Sequence, residues 1–225
     1  DRGTTVNRPL RISVFFDFIC PWCLIGKRNL SQALQLFASR YPHTPIVLDW
    51  IGVQLLPDVP VSGVPFADFY LQRLGSPTAV RQRQAQVQEA AARAGVSIDL
   101  QQIARMPNTA DAHRLLTHAS ALGDAAQLDT LLERLFAAYF MRGEDIGDRT
   151  TLLQIADECG YSATPLSHSL RQDGMRFFGP GTHSRSSVPT FVINQRLALS
   201  GAQPPEVLLE ALLRACEPAP LGSPA

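Results

Sequence analysis

The stretch Ile12-Ser-Val-Phe-Phe-Asp-Phe-Ile-Cys20-Pro21-Trp22-Cys23-Leu-Ile-Gly26 constrains this chain more than any other, because an apolar, aromatic-rich run passes directly into two cysteines separated by Pro-Trp. From Leu10 to Phe18 the β-branched and aromatic residues come almost without polar interruption. That is the pattern of a strand buried on both faces, as in a parallel sheet covered by helices. Pro21 cannot continue a sheet ladder but suits the first turn of a helix, so a helix is predicted to start inside the motif. Leu24, Ile25, Leu30, Leu34 and Phe37 carry it on to Arg40. A thiol at this junction lies beside unpaired backbone N–H groups and the positive end of a helix dipole, which favour thiolate over thiol. Across one helical turn two thiols come within disulfide range, the first facing solvent and the second shielded. Cys20 is therefore expected to attack, or be attacked, through a mixed disulfide that Cys23 resolves.

Zinc is the competing use of such a pair. A structural zinc site needs four ligands, usually from a second close pair. Cys159 and Cys216 stand alone, and His43, His113, His118, His168 and His183 offer no partner at finger spacing. A redox pair is favoured and no metal is expected. Four cysteines in 225 residues are too few for a disulfide-stapled scaffold. Twenty basic and twenty acidic side chains give a formal net charge of zero, so no bulk field attracts nucleic acid or an anionic membrane. Arg81, Arg83 and Arg93, interrupted by Glu89, are read as a solvated helix face. No apolar run approaches the ~20 residues needed to span a bilayer.

After a breaker cluster at residues 41–45, Ile46 to Leu55 is a second predicted strand, and Pro57, Pro60, Gly63 and Pro65 then mark a boundary. From Pro65 to about Met175 the chain reads as helices: Phe66–Leu74, Thr78–Ala94, a short one near Leu100–Arg105, Thr109–Leu122, Ala125–Met141, Arg149–Cys159 and Pro165–Met175. Ser76, Asn108, Asp124, Asp148 and Thr164 are the candidate N-caps; Gly75, Gly95, Gly123, Gly143 and Gly160 the candidate C-caps. Strand signals return at Ser187–Ile193, with a hairpin partner at Arg196–Ser200, and a helix follows over Glu206–Cys216. The implied fold is α/β, one sheet whose halves are separated by an all-helical insertion. The expected division is 10–63, 64–177 and 178–217, with mobile tails at 1–9 and 218–225.

Val188-Pro189-Thr190 sets a proline at the entrance of an otherwise buried strand, where it is tolerated either as an ordinary trans residue or as a cis bond in a tight turn.

Strand-CPWC-helix, a helical insertion, then VPTFVIN with a hairpin and helix resembles the DsbA-type branch of the thioredoxin superfamily, and more closely its FrnE-like members. The resemblance runs from Ile12 to Ala215. Its markers are Asp17 with Cys20-Pro-Trp-Cys23, Ile25-Gly-Lys-Arg28, Asn108-Thr-Ala-Asp-Ala-His113-Arg114, Leu135-Phe-Ala-Ala-Tyr139-Phe140, Asp145-Ile-Gly-Asp148 and Ser200-Gly-Ala-Gln-Pro204. It implies a thioredoxin fold carrying a helical insertion, thiol–disulfide oxidoreductase activity and a cis bond before Pro189. The chain departs from the family at Phe177-Phe-Gly-Pro-Gly181 and Thr182 to Ser187, where Gly-Pro-Gly should end a helix and polar residues remodel the surface beside Pro189.

The expected partners are protein or peptide thiols and disulfides, with glutathione as a candidate co-substrate and no cofactor beyond the Cys20–Cys23 disulfide. Pro21, Trp22, Val188 and Pro189 are the candidate substrate contacts, Trp22 as an exposed docking surface. Asp17 is a candidate either for proton transfer with Cys23 or for a carboxylate hydrogen-bonded at the strand end, and His113 either for the cleft opposite the cysteines or, the favoured reading, for a hydrogen-bonded histidine between the domains. Phe136, Tyr139 and Phe140 are read as core, and Cys159 and Cys216 as buried inert thiols. A glutathione-dependent small-molecule isomerase or transferase of the 2-hydroxychromene-2-carboxylate isomerase type is the alternative function, although those relatives generally carry serine at the first cysteine. A redox-sensing peptide-binding module is a third. The cytoplasm is the expected location, since residues 1–8 lack a secretory pattern, but a mature periplasmic protein would look similar. Monomer and homodimer both stay open.

Overall fold

In a computed structural model, residues 8–183 and 187–217 are described. The expected tails and Ser184, Arg185 and Ser186 of the divergent segment fall wholly or partly outside them. One sheet has the order β2 (Ile46–Gly52), β1 (Leu10–Phe16), β5 (Thr190–Ile193), β6 (Leu197–Ser200). β1 pairs parallel with β2 and antiparallel with β5, and β5 with β6 forms the hairpin. β1 is therefore interior to the sheet, as its unbroken apolar run required, and Leu10, Ile12, Val14 and Phe16 are buried.

Between β2 and β5 come β3 (Val64–Pro65), α2 (Phe66–Leu74), α3 (Pro77–Arg93), a single 3-10 turn at Leu100–Gln102, β4 (Arg105–Met106), α4 (Ala110–Ala119), α5 (Ala125–Phe140), α6 (Arg149–Glu158) and α7 (Ala163–Ser167). The β3–β4 pair was not read from the sequence, since two residues per strand give no alternation to detect. The side chains of Ser76, Asp124 and Asp148 accept from the backbone N–H groups of Ala79, Gln127 and Thr151 as N-caps, and Asn108 accepts from Ala110 N. Thr164 lies inside α7, whose N-cap is Ser162.

Two apolar clusters hold the molecule together. The first joins Phe16, Phe18 and Cys23 to Phe136, Tyr139 and Phe140 of α5 and to other residues of the helical segment. The second fills the space between the sheet, α1 (Pro21–Arg40) and α8 (Pro205–Ala215) with Leu30, Phe37, Phe191, Leu208 and Leu212. α1 is also tied to α5 by charge: Lys27 Nζ lies 2.6 Å from Asp129 and 2.7 Å from Glu133, and Arg28 shares Glu133.

The last helix of the insertion is much shorter than the predicted Pro165–Met175. Ser169 N and Leu170 N still donate to local carbonyls, but beyond them several backbone donors are taken by distant side chains. Asp111 accepts from Arg171 N and Gln172 N, and Gln54 Oε1 accepts from Phe177 N. Arg114 meanwhile donates to the carbonyls of Met175 and Arg176. These tertiary bonds replace helical ones, and Gln172 adopts φ 51°.

Candidate functional site

β1 ends at Phe16, two residues earlier than predicted, because Asp17 turns the chain. Its carboxylate accepts from Phe18 N at 2.8 Å and its carbonyl from Cys20 N at 3.3 Å. Cys20 then serves as the extended N-cap of α1, with Pro21 in the first turn, which carries Cys23 back beneath it. Both are free thiols. Cys20 Sγ lies 3.8 Å from the carbonyl oxygen of Val188, and the Val188–Pro189 peptide bond is cis. Strand pairing across β1 and β5 brings this turn to the motif from the far end of the chain. Gly26 lets it close: a Cβ there would stand 3.1 Å from the Phe191 ring and 3.3 Å from Pro189 Cγ.

Cys20 is not the solvent-facing thiol the motif suggested. Only 8% of it is exposed, at a cavity of about 390 Å³. Ile19, Pro21, Trp22, Ser187 and Val188 line one part of that cavity. Leu55, Leu56, Phe69, Tyr70, Arg73, Leu74 and Arg83 supply the rest, so the helical segment roofs the cysteine. Trp22 is half-buried against the first core cluster and shared with this lining, rather than projecting freely. Cys23 is 1% exposed. Burial pushes its thiol well above the ordinary value, reinforced by its hydrogen bond to Cys20, the Cys20 charge and the Asp17 charge, against a lowering backbone hydrogen bond from Asp17.

Asp17 and His113 belong together, but in the interior. Both are buried, and neither lines the cavity. His113 Nε2 donates to Asp17 Oδ1 at 2.9 Å, while Asp17 Oδ2 accepts from Leu55 N at 2.9 Å. The imidazole stacks on Phe177 and meets Phe16 and Phe18. Its Nδ1 has no hydrogen-bond partner and faces Gly52, where a Cβ would overlap it. His113 is thus not a cleft residue but the hydrogen-bonded histidine favoured from the sequence: α4 delivers it to the Asp17 carboxylate in the interior.

The site residues missed from sequence are Phe69, Tyr70, Arg73 and Arg83. Arg83 does not belong to a solvated face. Its guanidinium lies 4.6 Å from the Tyr70 ring centroid, whereas Arg93 pairs with Glu89 in solvent and Arg81 with Thr78. The spacing of Phe69, Tyr70 and Arg73 on one helix was the available signal. Cys159 is half-buried and Cys216 exposed, not buried as read from sequence, and burial raises both thiols above their ordinary value. Among the described residues there is no cluster of three or more His, Cys, Asp or Glu that could hold a metal, and no helix long and apolar enough to cross a membrane.

A four-stranded mixed sheet, a dithiol at the N-terminus of its first helix and a prolyl turn against the outer sulfur define a thioredoxin-fold protein of the dithiol class. Residues 11–175 match the DSBA-like thioredoxin domain, and the chain belongs to that family. It is 24% identical to the uncharacterized protein YwbO of Bacillus subtilis over 210 residues, covering 90% of this chain and 96% of the relative. A probable DsbA oxidoreductase from Streptomyces coelicolor superposes with TM-score 0.78 at 24% identity, covering 95% of this chain and 93% of its own. A 2-hydroxychromene-2-carboxylate isomerase has the same fold at TM-score 0.62 and 17% identity, covering 92% and 96%.

Proposed function

We propose that the protein is a thiol–disulfide oxidoreductase using Cys20 as the exchanging thiol and Cys23 as the resolving one, in keeping with the FrnE-like motifs. The observation that carries this reading is the asymmetry of the pair: Cys20 opens on a cavity beside the Val188 carbonyl, and Cys23 is sealed beneath it. In the reductive direction the Cys20 thiolate attacks one sulfur of a substrate disulfide. A Cys20–substrate bond forms, the substrate S–S bond breaks, and the departing thiolate takes a proton. Cys23 then loses its proton and attacks Cys20 Sγ, releasing the second substrate thiol and leaving a Cys20–Cys23 disulfide. Two electrons have passed from enzyme to substrate, and oxidation of a dithiol is the reverse.

Burial holds the Cys23 proton, so resolution waits until the mixed disulfide has formed and its proton can leave. The Asp17 carboxylate already accepts three hydrogen bonds, which suits a fixed charge behind Cys23 better than a swinging proton carrier. A cavity of about 390 Å³ over a nearly buried sulfur favours a small thiol or a single extended side chain over a broad protein face, and it keeps the small-molecule isomerase reading as the rival. Cys20→Ser separates the two. Disulfide exchange should vanish; undiminished reduction of insulin or of a small disulfide would overturn the proposal, and surviving glutathione-dependent isomerisation would favour the rival.

A further inference from the structure

The cavity over Cys20 is electrostatically one-sided. Among the described residues its lining includes two guanidinium groups, Arg73 from α2 and Arg83 from α3, and no aspartate or glutamate. Among the described residues neither arginine forms an ion pair with a carboxylate, so no fixed partner neutralises either charge at the cavity. Both lie against aromatic rings instead, Arg83 at 4.6 Å from the Tyr70 centroid and Arg73 at 5.8 Å from that of Phe69. Contact with a ring restrains a guanidinium, and although Arg83 also shares a side-chain hydrogen bond with Tyr70, a guanidinium carries five N–H donors, enough to leave others for an anion that arginine can bind in bidentate fashion. The surrounding wall is apolar, from Ile19, Leu55, Leu56, Leu74 and Val188, so a charge pair formed there is screened less than in water.

We propose that Arg73 and Arg83 are specificity residues that select thiol or disulfide substrates carrying a carboxylate close to the reacting sulfur. This rests on the assignment of Cys20 as the exchanging thiol. The carboxylate docks on the guanidinium pair while its sulfur meets Cys20 Sγ, and the bonds made and broken are those of the exchange above. Neutral disulfides lack this anchor and cationic ones are repelled by it.

The test pairs reagents that differ only in charge. Reduced protein is alkylated with iodoacetate or iodoacetamide, and the rate at Cys20 is followed by mass spectrometry of its peptide. Both reagents need the thiolate, so any change in thiol ionisation cancels in the ratio of the two rates. Replacing both arginines (Arg73→Gln with Arg83→Gln) should lower the iodoacetate-to-iodoacetamide ratio about tenfold, the worth of a charge-assisted hydrogen bond in a partly desolvated site. The Arg83→Lys variant, which keeps the charge and loses the fork, should fall between. A ratio that the double substitution does not move overturns the proposal. Turnover is then compared for dithiodipropionate against bis-hydroxyethyl disulfide, and for a disulfide peptide with glutamate beside the cysteine against its glutamine twin. A preference for the acid member in wild type that collapses in the double variant supports the proposal, and whichever pair shows it identifies the source of the carboxylate. Equal kcat/KM within both pairs overturns it. Absence of turnover with all four would instead overturn the oxidoreductase reading, while the alkylation ratio still decides whether the cavity selects anions.

Discussion

Replacing Asp17 with Asn probes the link between the buried carboxylate and the resolving thiol. Oδ1 accepts from Phe18 N and His113 Nε2, and Oδ2 accepts from Leu55 N. An asparagine keeps the shape but must turn its amide NH2 toward one of these donors. The least disruptive orientation leaves its oxygen on the Phe18–His113 side and sets NH2 against Leu55 N–H, which then has no acceptor. An unsatisfied partly buried donor, together with a weaker neutral bond to His113, costs about 2–4 kcal/mol. That is a large share of the 5–15 kcal/mol that holds a typical domain together, yet the chain should still fold. The effect on Cys23 has the opposite sense. Burial is the chief cause of its raised pKa, and the Asp17 charge adds to it, so removing the charge moves the Cys23 titration downward while burial keeps it above the ordinary 9.0. Urea unfolding reports the first effect. Thiolate absorbance in a background where Cys20, Cys159 and Cys216 are serine reports the second. An unmoved or raised Cys23 midpoint would refute the charge coupling, and unchanged stability would refute the three-bond account of the carboxylate.

At Gly26 two effects oppose one another. Alanine gains up to ~1 kcal/mol of helix propensity, but its Cβ must displace the Phe191 ring or Pro189 by a few tenths of an ångström; valine adds two further methyl groups to the same gap and should destabilise by about 1–3 kcal/mol. Gly26→Ala should thus stay near wild type in thermal unfolding while Gly26→Val loses both stability and exchange rate, and equal behaviour of the two would count against tight closure of the prolyl turn. Alkaline pH should also weaken the fold. Cys23 and Tyr139 both have raised folded-state pKa values, chiefly through burial, so their contribution is complete below the unfolded values and is lost as pH rises from about 9 toward the folded ones. The Tyr139 hydroxyl lies 3.8 Å from Met106 Sδ, and Tyr139→Phe should flatten the part of the decline above pH 10 in urea titrations; an unchanged slope there would show that Tyr139 does not contribute.

What could be read in advance followed the range over which residues act. The β1–Cys-Pro-Trp-Cys–α1 unit is local: an apolar run, a proline at N1 and helical spacing suffice, and α1 ends at Arg40 as expected. α2 is bounded by Gly75 in the left-handed region, again a local signal. The failures are mostly tertiary. Asp173-Gly174, with Gly174 at φ 70°, is a local signal against helix that the helical reading passed over, and Asp111 adds a tertiary one by capturing the N–H groups of Arg171 and Gln172. Asp17 and His113 were each visible as candidates, yet nothing local says that residues 96 positions apart share a hydrogen bond in the core. Arg83 looked like its solvated neighbours on α3, and only the packing of α2 beside it turns it onto Tyr70 and over the cysteine.

The division of labour within the cysteine pair is tested most directly by trapping. Oxidised substrate is added to the Cys23→Ser variant, and the adduct is mapped by peptide mass spectrometry. Cys20 alone opens on the cavity, and Cys159 and Cys216 have raised thiol pKa values, so a mixed disulfide should accumulate on Cys20 and be absent when Cys20 is serine and Cys23 intact. An adduct on Cys23, or equal labelling of Cys159 and Cys216, would contradict the assignment of Cys20 as the exchanging thiol.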